Sequence, residues 1–171
     1  NTPDSAALDI TGDIDIRVKV AMTDWTPSAA NVLINKATSA SSQFSYQLIV
    51  NTDGSFRLFF STDGTTPIQI VSSINNTISD GTTKWVRATR VSATGVVQFF
   101  TSDDGTTWTQ FGTNVTGTSG NIFSGTAVLE VGSRYVGTNS PARGTIYQAQ
   151  VLNGIDGTVA FNANFEGVPA D

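Results

Sequence analysis

The stretch Asp13-Ile-Asp-Ile-Arg-Val-Lys-Val20 alternates without a break, with Ile14, Ile16, Val18 and Val20 on one side and Asp13, Asp15, Arg17 and Lys19 on the other. A period of two is the mark of a strand with one buried and one wet face. The same pattern recurs in Phe44-Ser-Tyr-Gln-Leu-Ile-Val50 and Ser55-Phe-Arg-Leu-Phe-Phe60, and Asn51-Thr-Asp-Gly54 between them supplies the positive φ of a hairpin turn. Further strands are predicted at 67–73, 84–93, 96–102, 108–112, 127–134, 144–153 and 158–165. No ten-residue helical pattern interrupts them. A single helical turn fits at 121–124, and 113–124 reads as a long loop. Many short strands with regular turn punctuation predict an all-β fold, a two-sheet antiparallel sandwich or jelly roll. Asp-Gly-Thr recurs at residues 63, 80, 104 and 156, at irregular spacing, which indicates shared turn chemistry rather than an internal repeat.

The chain has 171 residues, enough for one domain with a substantial core, and that is the expected organisation. It begins at Asn1 without an initiator methionine, which predicts excision from a longer protein. Only 13% of residues are charged, about half the usual share, so hydroxyls and amides must cover much of the surface. A net charge of -5 leaves no basic stripe for a nucleic acid and disfavours acidic membranes. No apolar run is long enough to predict membrane insertion. The absence of both Cys and His excludes thiol nucleophiles, disulfides, Ser-His-Asp triads, the common zinc sites and imidazole bases.

Asp80-Gly-Thr-Thr-Lys-Trp-Val-Arg-Ala-Thr-Arg90, followed by Gly95-Val-Val-Gln-Phe-Phe-Thr-Ser-Asp-Asp-Gly105, resembles the laminin-G-like and concanavalin-A-like jelly rolls. In those domains a tryptophan-led strand pairs with one ending in an Asp-Gly turn. Gly144-Thr-Ile-Tyr-Gln-Ala-Gln-Val-Leu-Asn153 resembles a late strand of the same group. The opening 6–17 and the run 101–112 also resemble domains appended to bacteriophage tail proteins. The resemblance implies an extracellular or virion module that binds cell-surface glycans or docks on virion or surface proteins, in many copies, and it leaves these alternatives open.

A laminarinase-like glycosidase is a third alternative, but its clustered acidic motif is absent. Glu occurs only at Glu130 and Glu166. Asp13 and Asp15 share a strand face roughly 6 to 7 Å apart, where a solvated face is the simpler account. Ser102-Asp-Asp-Gly-Thr-Thr-Trp108 is similar to the Asp-box hairpin of sialidase propellers but one residue short; it reads as a tight turn whose Asp accepts from turn amides while Trp108 packs beneath. The resemblance also makes calcium a candidate cofactor, with Asp4, Asp9, Asp24 and Asp171 as oxygen ligands or as ordinary turn residues.

Sugar recognition calls for aromatic faces surrounded by amide, carboxylate or guanidinium groups. Strand parity offers a set. With Phe56, Leu58 and Phe60 inward, Arg57 and Phe59 point outward; with Val86 and Ala88 inward, Trp85 and Arg87 point outward. With Ile146 outward, Gln148 and Gln150 join it, and Tyr147, Ala149 and Val151 enter the core. If their strands are neighbours, Arg57, Phe59, Arg87, Gln98, Glu130, Gln148 and Gln150 line one groove. The alternative is that Trp85 belongs to the core and the polar groups pair with one another. Two loop aromatics, Trp25 in Thr23-Asp-Trp-Thr-Pro27 and Tyr135 in Ser133-Arg-Tyr-Val-Gly-Thr-Asn139, are further sugar platforms or caps on the sandwich.

Overall fold

The computed structural model describes residues 1–38, 42–75 and 77–167. Twelve strands follow a single 3-10 turn at Ala6–Leu8: β1 (Ile14–Met22), β2 (Asn31–Lys36), β3 (Tyr46–Val50), β4 (Phe56–Phe60), β5 (Ile68–Val71), β6 (Thr83–Arg90), β7 (Val96–Ser102), β8 (Thr109–Gln110), β9 (Val115–Thr116), β10 (Glu130–Val131), β11 (Gly144–Asn153) and β12 (Thr158–Asn164). They form two antiparallel sheets. One runs β12-β11-β1-β6-β7, with β8 and β9 both pairing on β7; the other runs β10-β2-β3-β4-β5. Among the described residues no helix is long and apolar enough to cross a membrane.

The alternation of β1 sets the first sheet's orientation. Ile14, Ile16, Val18 and Val20 are fully buried, with Val86 and Ala88 of β6 and Ala149 and Val151 of β11 beside them. Leu48 and Val50 of β3 and Phe56, Leu58 and Phe60 of β4 face them from the second sheet. An aromatic chain bridges the two layers: Phe56 lies 6.4 Å from Phe99 and 6.4 Å from Trp25, and stacks on Phe111 at 4.3 Å. Each ring buries a large apolar area, so this chain carries much of the hydrophobic stabilisation.

Three expectations need correction. Asn31–Lys36 lies outside the expected strands, yet it is a central strand buried along its whole length. Its Val-Leu-Ile run lacks alternation because both faces are covered, and a bulge between Val32 and Ile34 puts both Leu33 and Ile34 in the core. The segment 113–124 contains strand β9, and no helical turn forms at 121–124. Instead Ile122 N–H donates to Thr11 O and Phe123 N–H to Ser61 O, while buried Arg90 donates to the carbonyls of Thr118 (3.1 Å) and Gly120 (2.7 Å) and lies 4.0 Å from the Phe60 ring. Finally, Tyr147 is not in the core. A bulge at Lys19/Val20 pairs Val20 with Ile146, so Ile146 packs inward and Tyr147 lies 5.6 Å from the Lys19 ammonium on the outer side.

Two hairpins share one turn, Ser-x-Asp-Gly-Thr-Thr. Asp104 accepts from the amides of Thr106 (2.8 Å) and Thr107 (2.7 Å) and from Ser102 Oγ (2.9 Å). Asp63 does the same with Thr65, Thr66 and Ser61. These bonds hold both carboxyls well below the usual carboxylate range. Gly105 is required twice over, since its φ is +75° and an added Cβ would lie 2.8 Å from the Trp85 ring. Trp108 packs edge-on against Trp85, as the hairpin reading expects.

Candidate functional site

The second sheet carries a cleft of about 560 Å³ on its outer face. Its floor follows from strand parity. Register aligns Glu130, Asn35, Gln47, Phe59 and Gln69 in one row across β10, β2, β3, β4 and β5. A neighbouring row consists of Val32, Ile49, Arg57 and Val71. Gln47, Phe59, Val32, Ile49 and Arg57 line the cleft from these rows. The floor is therefore an apolar strip crossed by amide and guanidinium groups, a mixture suited to a ring with polar substituents.

One wall is the segment 132–142, strapped along β2 by Gly132 N–H to Leu33 O (3.0 Å) and Val32 N–H to Ser140 O (3.1 Å). Arg134 and Asn139 exchange both backbone bonds at 3.1 Å, closing a small loop that brings Arg134, Tyr135 and Ser140 to the cleft. The loop is strained. Tyr135, Val136 and Gly137 have φ of 59°, 60° and 78°, and Val136 is a β-branched residue 71% exposed. Left-handed backbone at such a residue costs energy and persists only where its surroundings enforce it. The enforcing contact is below: Glu130, 2% exposed, accepts Gly137 N–H at 2.9 Å. Its other oxygen accepts from Asn35 Nδ2 (3.1 Å), and Asn35 Oδ1 accepts from Gln47 Nε2 (2.8 Å). A buried polar chain thus joins the loop to the floor.

No family model matches the chain, and no curated protein matches it significantly in sequence. Solved structures do match its architecture. The CBM40 domain of the Ruminococcus gnavus IT-sialidase, solved with bound α2,3-sialyllactose, superposes with a TM-score of 0.60 at 14% identity over 87% of this chain and 78% of that one. The LG4-5 domains of the mouse laminin α1 chain give 0.57 at 14% identity over 84% of this chain and 36% of theirs. The enzymatically active domain of bacteriophage CBA120 tailspike protein 2 gives 0.55 at 14% identity over 81% and 22%. The fold is a two-sheet antiparallel jelly roll.

Within this jelly roll the single groove expected from parity does not form. Arg57, Phe59 and Tyr135 come together at the cleft. Arg87, Gln98, Gln148 and Gln150 belong to the other sheet, because β4 pairs with β3 and β5 whereas β6, β7 and β11 flank β1 and one another. Arg87 is only 6% exposed and binds Asp15 through Nε (3.0 Å) and Nη2 (2.7 Å), while Trp108 covers it at 5.2 Å. Arg17 grips the same carboxylate. Gln98 donates to Asn114 and Gln150 to Asn162. Glu130 braces the loop from beneath instead of lining the cleft. Trp25 is 1% exposed, a core residue whose Nε1 donates to Thr82 O and whose backbone N–H donates to Asp80. It presents no face to a sugar.

Sequence parity could have found Gln47 and Ile49, which alternate with buried Tyr46, Leu48 and Val50. Arg134 carries no such signal, since its position depends on the loop.

Asp4 and Asp9 do not fit a calcium ion. The fully buried ammonium of Lys36 stands 2.6 Å from Asp4 and 3.6 Å from Asp9 and donates to the carbonyls of Gly125 and Ala127, filling the oxygen cage with a fixed positive charge. Asp24 accepts from Thr26 N–H at 2.7 Å. Asp171 lies outside the described residues. Among the described residues no group of three or more acidic side chains gathers to hold a metal. Asp13 accepts from Ser92, and Asp15 is committed to two arginines, so this pair serves the sheet.

Proposed function

We propose that the chain is a non-catalytic glycan-binding module that takes its sugar in the cleft over β2, β3 and β4. The observation that carries this is the cleft's lining. Phe59 and Tyr135 offer aromatic faces beside the amides of Gln43, Gln47 and Asn51, and among the described residues no Asp or Glu lines it. A glycosidase needs two carboxyls across one bond, so this lining suits binding and not hydrolysis. The likeness to a domain solved with bound sialyllactose supports the same reading. An open cleft of this size gives weak single-site affinity, which display in several copies on an extracellular or virion surface would multiply.

The test is a glycan microarray followed by calorimetric titration, with and without calcium. Binding that falls about fivefold or more in each of Tyr135→Ala and Phe59→Ala, with folding intact, supports the proposal, since aromatic stacking contributes on the order of 1 kcal/mol per ring. No binding to any saccharide under either condition, or binding indifferent to both substitutions, overturns it.

A further inference from the structure

Five of the protein's nine lysines and arginines are neutralised at short range. Arg17, Lys19, Lys36, Lys84 and Arg87 each have a carboxylate oxygen within 3 Å. Arg90 is buried against carbonyls and the Phe60 ring. Exposed Arg143 has no carboxylate within 4 Å among the described residues, and the cleft gathers two further guanidiniums that are free or only loosely paired. Arg134 has no carboxylate within 4 Å among the described residues; its Nε donates to Asn139 Oδ1 at 3.2 Å and its guanidinium lies 5.1 Å from the Tyr135 ring. Arg57 meets Asp53 only at 3.9 Å and Gln69 at 3.4 Å. Asp53 itself is engaged elsewhere, accepting from Ser55 N–H and Oγ at 3.0 and 2.6 Å. Two guanidiniums thus line a cleft to which the described residues contribute no acidic side chain, on a chain whose net charge is -5.

An overall negative protein repels anions at long range, so a local positive cleft has a purpose only at contact distance. The two arginines approach from opposite sides. Arg134 follows β10 and Arg57 lies on β4, three strand spacings or roughly 14 Å across the sheet before the loop folds inward. A guanidinium presents a planar fork of donors that matches a carboxylate or a sulfate, and the partly apolar surroundings strengthen the pairing. Resting on the glycan-binding reading above, we infer that the saccharide in this cleft carries an anionic group, a carboxylate or a sulfate ester, held chiefly by Arg134 with Arg57 assisting.

The experiment uses an array of neutral, sialylated, uronate-containing and sulfated glycans, then titrations of the best acidic glycan and its neutral parent against the intact chain, Arg134→Gln and Arg57→Gln. The acidic member is expected to bind at least about tenfold more tightly than its parent and to weaken as salt is raised. Arg134→Gln should remove most of that preference, weakening the acidic glycan at least about fivefold more than its neutral parent. Preference for carboxylated or for sulfated glycans identifies which anion is read, and either supports the inference. Neutral glycans binding as tightly as acidic ones, or an acidic preference that survives the Arg134→Gln, Arg57→Gln double variant, overturns the inference and leaves the glycan-binding reading standing. If no glycan binds, that reading falls and the inference with it.

Discussion

Glu130 Oε1 accepts Gly137 N–H at 2.9 Å, so a buried carboxylate holds in place the strained turn that carries Tyr135 to the cleft. The relationship makes Glu130 a positioning residue. Glu130→Ala would leave Gly137 N–H without its acceptor and Asn35 Nδ2 with Ala37 O alone, costing about 2 kcal/mol by urea unfolding. Amide exchange at 132–140 should accelerate more than in the β1 core, and glycan affinity should fall even where the protein remains folded. Unchanged loop exchange would contradict this role.

Val136 offers the opposite case. Its φ of 60° is unfavourable for a β-branched residue, and its 71% exposure means little packing is lost on truncation. Val136→Gly is expected to raise stability by about 1 kcal/mol in thermal or denaturant unfolding. A destabilised variant would show that the side chain makes a contact that matters more than the strain.

Acid sensitivity should arise in part at Asp15, together with the turn carboxylates Asp63 and Asp104. Burial pushes the Asp15 carboxyl up, but hydrogen bonds from Arg17 and Arg87 prevail and hold it below its ordinary value of 3.8. The folded state therefore binds fewer protons than the unfolded chain in that range, and the stabilisation is complete above about pH 4 and lost as pH falls through the folded value. Asp53, brought down to about 2 by its bonds from Ser55, acts in the same direction. With no His in the chain, unfolding free energy should be nearly flat from about pH 5 to 8. Asp15→Asn should cost about 3 kcal/mol at neutral pH by leaving buried Arg87 with solvent-exposed Asp156 as its carboxylate partner, and should flatten part of the acid limb. Wild-type stability that falls between about pH 7 and 5 would refute the assignment.

Lys36 ties the N-terminal segment to the sandwich. Lys36→Met would leave the carboxylate of Asp4 and the carbonyls of Gly125 and Ala127 without their donor and remove the positive charge 3.6 Å from Asp9, at a cost of about 3 kcal/mol. Exchange of the reciprocal Thr2–Leu129 backbone bonds should accelerate first. A variant with wild-type stability would show that the cage relaxes around water.

How much of this was legible in sequence differs from strand to strand. Alternation identified β1, β4, β6, β7 and β11, because in each of them polar residues alternate with the apolar ones that reach the core. It passed over β2, where loop 132–142 covers the second face and removes the polar half of the pattern. It misplaced Tyr147 because a bulge inverts parity without changing composition. Trp25 was ambiguous for a related reason: Thr, Asp and Pro around an aromatic describe a wet platform and a capped core residue equally well, and only Asp80 and Thr82, 55 and 57 residues away, resolve it.

The local sequence determined the all-β class, the outward direction of Arg57 and Phe59, and the Ser-x-Asp-Gly-Thr-Thr turns, since these depend on contacts within a few residues. Tertiary structure alone decided the site. Whether Arg87 and Arg57 share a groove depends on which strands pair, and the arrival of Arg134 and Tyr135 depends on a loop held by Glu130 and β2. Strand pairing and loop anchoring are long-range contacts, and neither leaves a period in the chain.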